Sequence, residues 1–183
     1  MSETFYTNDC KEFEAYAEDC LSNQREGTVV HVGEKVCVWT GVFTTFSQEE
    51  CDKRGLDVGH GRYAGGTIVC FPGDVSICHT SSGVDRYAES LASMVLTWFK
   101  QKRLNVTVDG NDILVDGKKV FSCASMQLLN GWVQSVAHFS VTVDLELIKS
   151  ICRKYTEKIP GELKDYKIDS QILIQKLQQK EFI

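Results

Sequence analysis

Residues 111–124 read Asn111-Asp112-Ile113-Leu114-Val115-Asp116-Gly117-Lys118-Lys119-Val120-Phe121-Ser122-Cys123-Ala124. Ile113 to Val115 is rich in residues that favour strands. Asp116-Gly117 is a two-residue hairpin signal, because a type I′ turn needs positive φ at both central positions. Lys118 to Ser125 then predicts a returning antiparallel strand. Asn111 and Asp112 fall at the head of the first strand and Lys119 near the start of the second. A register that puts an amide, a carboxylate and an ammonium at one mouth of a sheet supplies groups able to hold a metal–phosphate and a carboxylate together. Spacing alone equally describes a hairpin with polar ends.

The meander extends on both sides. Turn signals at Asp109-Gly110, Asp116-Gly117 and Asn130-Gly131 predict contiguous antiparallel strands at about 105–108, 112–115, 119–126 and 134–143. His138 falls in the last of these, as a core or rim residue. Before the meander, Ser82 to Arg103 predicts a long helix, with Val84, Tyr87, Ala88, Leu91, Val95, Trp98 and Phe99 on one apolar face. Asp74 to Thr80 predicts a strand with His79 near its end.

Further upstream, Gly59 to Val75 reads G-H-G-R-Y-A-G-G-T-I-V-C-F-P-G-D-V. Gly59, Gly61 and Ala64 satisfy a dinucleotide-binding spacing, but that reading needs a helix next. Thr67 to Phe71 predicts a strand, so the reading fails. Gly65 and Gly66 instead let the backbone approach a ligand closely, and Arg62 offers a planar fork for a carboxylate or phosphate. A glycine-rich turn between strands accounts for the same residues.

The remaining elements are structural readings. Asp9 to Leu21 has helical periodicity through Phe13, Ala17, Cys20 and Leu21. Thr28 to Trp39 alternates as a strand pair broken at Gly33-Glu34. Ser47-Gln48-Glu49-Glu50 is a capping box opening a short helix that Gly55 ends. Asp144 to Lys154 predicts a helix with Asp144 as N-cap, and Ser170 to Gln179 a last amphipathic helix.

Composition narrows the classes. The chain has 183 residues, 43% hydrophobic and 25% charged, with a formal net charge of −5. That predicts one domain, 1–183, with a sizeable core and no nucleic-acid partner held by bulk charge. No run approaches the roughly 18 apolar residues of a membrane span, so no membrane association is expected. The start M-S-E-T-F-Y-T-N-D lacks a basic region followed by an apolar core, which predicts no signal peptide and a cytoplasmic protein. The eight cysteines contain no C-x-x-C pair, which disfavours a zinc knuckle and predicts free, mostly buried thiols.

The hairpin N-D-x-x-x-D-G-K-K-V resembles the lysine hairpin of lipoate–protein ligases, in the wider biotin/lipoate ligase family. The glycine stretch resembles that family's ligand loop at Arg62, Gly65, Gly66, Val69 and Gly73, and departs from it at Gly61, Ala64 and Cys70. Ile148 to Thr156 resembles the stretch after the family's central sheet. The resemblance implies an α+β fold with a mostly antiparallel central sheet flanked by helices; the length of the chain predicts no accessory C-terminal domain of the kind found in larger ligases. It implies ATP and Mg²⁺ as cofactors, lipoate, octanoate or a related carboxylate as substrate, and an acceptor lipoyl or similar carrier domain as partner, with a separate accessory chain as a further candidate. In the family's two steps a carboxylate attacks the α-phosphate of ATP, and an acceptor lysine then displaces AMP. Lys119 would bridge carboxylate and α-phosphate as the catalytic residue. Asp112 would hold the metal, aided by Asn111. Arg62, Gly65, Gly66, Val69, Asn111, Asp112, Ala124 and His138 would line the adenylate. An octanoyltransferase of the same fold acting through a cysteine, with Cys152 nearby, a non-catalytic ligand or carrier binder, and a ligase for another acid such as biotin stay open.

Overall fold

The computed structural model describes residues 3–43, 46–62, 65–83, 86–152 and 158–179. Strand β1 (Glu3–Thr7) leads into helix α1 (Cys10–Ser22), whose N-cap Asp9 accepts N–H bonds from Lys11 and Glu12. There follow β2 (Gly27–Val32), β3 (Cys37–Thr40), α2 (Gln48–Arg54), β4 (Asp57–His60), β5 (Thr67–Cys70) and β6 (Val75–Ser82). Helix α3 (Tyr87–Gln101) precedes the meander β7 (Val106–Asp109), β8 (Asp112–Val115), β9 (Lys118–Gln127) and β10 (Trp132–Phe139). Helix α4 (Leu145–Ile151), a 3-10 turn at Leu163–Tyr166 and α5 (Ser170–Gln178) complete the order.

Seven strands form one sheet in the order β1-β2-β6-β10-β9-β8-β7, and β4-β3-β5 form a second. Pairing in the large sheet is antiparallel except for β1 with β2. The fold is therefore α+β with a mostly antiparallel central sheet, and the four meander strands are contiguous and antiparallel as their turns imply.

Two hydrophobic faces explain the layering. On one face of the large sheet, α3 delivers Leu91, Val95, Trp98 and Phe99, and α5 delivers Leu173 and Leu177, onto Ile77, Ala137, Ile113 and Phe121. Burying each large side chain contributes about 1.5–3 kcal/mol before chain entropy is counted. On the other face, Phe13 and Ala17 of α1 pack with Val29, Trp39, Cys78 and Val136. The small sheet lies on this second side, and its outer face (Val38, Val69 and Phe71) carries Cys51 of α2 and Ile151 of α4. Central strands β2, β6 and β10 are covered on both faces, so almost all their residues are buried.

Several expectations shift. Thr28 to Trp39 does form two strands, but β2 joins the large sheet and β3 the small one, so they do not pair with each other. The first meander turn centres on Gly110-Asn111, because Asp109 pairs with Asp112; Asn111 is thus a turn residue. The β9–β10 connection is longer than two residues: Leu128 N–H bonds to Trp132 O at 2.7 Å and Gly131 adopts φ +82, a three-residue loop with a left-handed glycine. Asp116-Gly117 keeps its type I′ form, with φ of +51 and +75. Helix α3 starts at Tyr87, since Ser81 and Ser82 still pair with Val133 and Trp132; Val84 lies outside the described residues. Strand β10 stops at Phe139, beyond which the Val141 and Thr142 N–H groups turn to Asp74 Oδ1 at 2.6 and 3.1 Å. Strand β1 and the 3-10 turn carry no clear sequence signal.

Candidate active site

Strand β9 does not alternate regularly. Asp112 opposes Ser122 and Ile113 opposes Phe121, but Leu114 opposes Lys119. Val120 is therefore an extra residue, a β-bulge. Its consequence is visible in the side chains: Val120 and Phe121 both enter the core under α3, while Lys119, Ser122 and Ala124 line a cleft on the opposite face. Strict alternation backward from Ala124 and Ser122 would send Val120 into the cleft and Lys119 away from it. The bulge reverses this.

The cleft has a volume of about 180 Å³ and is walled by Gly66, Thr67 and Ile68 from the small sheet and by Asp112, Lys119, Ser122, Ala124 and Val136 from the large one. A larger cavity of about 430 Å³ lies between α3 and the meander, lined by Ala88, Ala92, Leu96, Val108, Asn111 and Ile113 among others. Both cavities touch Asp112, Cys123 and Ala124.

Charge concentrates around Asp112, which lines both cavities. Lys119 Nζ stands 3.9 Å from Asp112 Oδ1. The other oxygen, Oδ2, receives Lys158 Nζ at 2.7 Å, and Lys158 also reaches the Asp109 carboxylate at 3.1 Å and its carbonyl at 2.9 Å. The segment carrying Lys158 is held against β9 by two backbone bonds of 2.8 Å, Lys119 N–H to Ile159 O and Gly161 N–H to Lys119 O. It occupies the flank that β10 leaves free beyond Phe139. The same docking thus fixes the backbone of Lys119 and brings a second ammonium to Asp112.

Of the residues singled out by sequence, Gly66, Asp112, Lys119 and Ala124 line the cleft. Asn111 lines the larger cavity, and its carbonyl accepts the Cys123 N–H at 3.1 Å. Gly65 and Gly66 accept N–H bonds from Phe43 and Gly41, both at 3.0 Å, which ties the glycine loop to the strand-end of β3. Arg62 is turned elsewhere: its guanidinium pairs with Glu18 of α1 at 3.3 Å and its backbone N–H donates to Gln134 Oε1 at 3.1 Å. Val69 packs into the outer core of the small sheet. The alternation of β5 gives the cleft wall to Ile68 in its place. Ala64 lies outside the described residues.

His138 is buried behind the cleft. Its Nδ1 meets Ser76 Oγ at 3.0 Å and Cys70 Sγ at 4.0 Å, and its Nε2 lies 3.6 Å from Asp74 Oδ2. Burial, with the positive charge of Lys119 second, lowers its pKa to about 3. Burial also raises Asp74 to about 7, against the pull of the Phe71, Thr142 and Val141 N–H groups. The 3.6 Å contact is therefore one between groups that resist charge. Lys158, Ser122, Thr67 and Ile68 were not legible as site residues. Lys158 is 46 residues from Asp112, with no motif linking the two.

The sequence profile of the lipoyl protein ligase A/B catalytic domain matches residues 12–173. No curated protein sequence matches the chain. Among solved structures, the chain is similar to the bi-partite lipoate protein ligase of Thermoplasma acidophilum, with TM-score 0.75, 13% identity, and coverage of 99% of this chain and 81% of that one. A structure of lipoate-protein ligase A bound with ATP gives TM-score 0.76 at 15% identity, covering 99% and 83%. LipL1 of Plasmodium falciparum in complex with lipoate gives TM-score 0.77 at 12% identity, covering 100% and 61%. At these identities the likeness shows the fold.

Proposed function

This chain belongs to the lipoyl protein ligase A/B catalytic-domain family, and from that premise we propose that it activates a small carboxylate, lipoate or octanoate, with ATP and passes the acyl group to a lysine of a carrier domain. The observation that carries the reading is the Lys119 ammonium, turned by a bulge into a cleft beside Asp112 and opposite Gly66. A fixed ammonium there would meet the charge that grows on the α-phosphate as the acyl-adenylate forms, which is catalysis by positioning and preorganised charge. Lys158 adds a second cation at the same carboxylate.

The donors suit Mg²⁺ in its usual nucleotide-bound form, one or two protein oxygens completed by phosphates and water. Asp112 would hold it, with the Asn111 amide beside it, and the ion would neutralise phosphate charge. For that, Lys158 must release Asp112 Oδ2 and move onto phosphate. Cys152 does not suit an acyl-thioester route: burial raises its thiol to about 11, the reverse of an activated nucleophile.

A binding-only role draws on one observation, the commitment of Arg62 to Glu18. Exchange of pyrophosphate into ATP separates the two. Exchange that requires lipoate or octanoate is expected, followed by acyl transfer to a lipoyl domain. Stabilisation by the acids with no exchange would establish the binder.

A further inference from the structure

Three strands from the two sheets converge on one buried cluster. His31 on β2, Cys37 on β3 and Cys70 on β5 each offer a ligand atom, and these atoms all lie within 4.8 Å of one another. Their relative exposures are 1%, 1% and 0%. The Cys37 thiol lies beside those of Cys70 and of Cys10, the first residue of α1. His31 Nδ1 is buried and has no hydrogen-bond partner among the described residues. The ring's other nitrogen faces the Asn8 backbone carbonyl.

Two features make this more than packing. A buried acceptor without a partner costs stability and calls for an explanation. A neutral imidazole that gives one N–H to a backbone carbonyl and keeps the other nitrogen's lone pair has the tautomer and anchoring of a metal-ligating histidine. Phe13, Val29, Trp39 and Val136 pack around the cluster, and Ser76 Oγ and His138 Nδ1 lie 3.5 and 4.0 Å from Cys70 Sγ.

We propose that His31, Cys37 and Cys70, completed by Cys10, form a structural site for a divalent d¹⁰ metal ion of the zinc class. Thiolates from Cys37 and Cys70 with a neutral His31 make the charge of a bound Zn²⁺ complex zero, which an apolar cluster tolerates. Their two protons pass to solvent on binding. Cys10 stands beside Cys37 but outside the radius shared by the other three, and it enters as the sulfurs draw in to Zn–S distances of about 2.3 Å. As a third thiolate it releases one more proton to solvent and brings the complex to −1, a charge that meets the positive end of α1. Without metal, the Cys37 thiol is pulled down by Cys10 but pushed up overall by Cys70 and by burial, and burial keeps His31 uncharged, so the cluster rests in its neutral form. The ligand spacing has no C-x-x-C pair, and the absence of that pair argued against zinc; the fold assembles the site from separate strands instead. Bound metal would tie β3 and β5 of the small sheet to β2 of the large one.

Because the site is closed to solvent, metal is expected to enter during folding. The test is the metal content of the purified full chain, then unfolding with chelator and reductant and refolding with Co²⁺ as the spectroscopic probe. The expected results are about one zinc per chain and, after refolding, an intense thiolate-to-cobalt charge-transfer band. The band should be lost in Cys37→Ala and Cys70→Ala, and kept in Cys51→Ala, which removes a buried thiol of a different cluster. No zinc together with no band overturns the proposal, as does a band that survives Cys37→Ala and Cys70→Ala. Should those variants fail to refold, X-ray absorption on the wild-type cobalt protein decides: a shell of sulfurs with nitrogen supports the site, and a shell without sulfur overturns it.

Discussion

Lys119 shows what a single residue owes to its backbone. Its match to the lysine hairpin was legible in the sequence, and so was the rule that only one of two adjacent lysines can face the cleft. What was not legible is why Lys119 and Ala124, five positions apart and so of opposite parity, share a face. The extra residue at Val120 supplies the reason, and no local pattern marks it. Val69 and His138 illustrate the other limit: their strands were correctly read, but facing and depth depend on which layer covers each side. Lys119→Ala should lower carboxylate-dependent pyrophosphate exchange by about 10²–10³, the usual cost of one preorganised donor, while leaving the fold intact. Lys118→Ala, at an exposed position, should stay near wild type. Equal small effects in the exchange assay would remove Lys119 from the reaction. Lys158→Ala should also reduce exchange, by weakening nucleotide binding, with a rise in the KM for ATP as its signature.

At the scale of elements, the segment Lys158–Gly161 acts as a clamp on β9. Turn chemistry made the hairpins readable, because Asp116-Gly117 accepts the positive φ that its turn needs. The clamp has no such chemistry. It is a short irregular stretch, and only its two bonds to Lys119 reveal it. Likewise β2 and β3 were readable as strands, yet nothing local says that they part into different sheets. Gly161 is where the clamp can be tested. A Cβ built there would lie 2.7 Å from Lys118 Cβ and 3.0 Å from Val120 Cγ1, closer than packed atoms stand, so Gly161→Ala must push the segment off the strand. The expected cost is roughly 1–3 kcal/mol of stability. Exchange activity should fall further than that loss explains, since both Lys119 and Lys158 are displaced. Denaturant titration alongside the exchange assay reads both, and normal exchange in a folded Gly161→Ala protein would show that the clamp only stabilises.

For the whole molecule, the seam between the two sheets carries buried titratable groups, and these set how stability varies with pH. Asp74 sits at that seam, joining the Phe71 turn to the end of β10 through three N–H bonds. Its folded pKa of about 7 lies above the ordinary carboxylate value of 3.8. The folded protein therefore holds a proton there that the unfolded chain gives up. Stability from this group is fully present below about pH 4 and is lost as pH rises toward 7. His138 leans the other way. Its folded value of about 3 lies below 6.5, so its contribution is present above pH 6.5 and is lost as pH falls toward 3. Between about pH 4 and 6.5 the two slopes oppose, and each is worth up to about 1.4 kcal/mol per pH unit. Asp74→Asn removes one of them. The variant keeps a carbonyl oxygen for Val141 and Thr142 but loses the acceptor for Phe71, so it should be less stable at pH 4. Its stability should then climb with pH more steeply than that of the wild type across this window. Urea unfolding at a series of pH values measures both slopes, and parallel curves for the two proteins would show that Asp74 is charged in the fold.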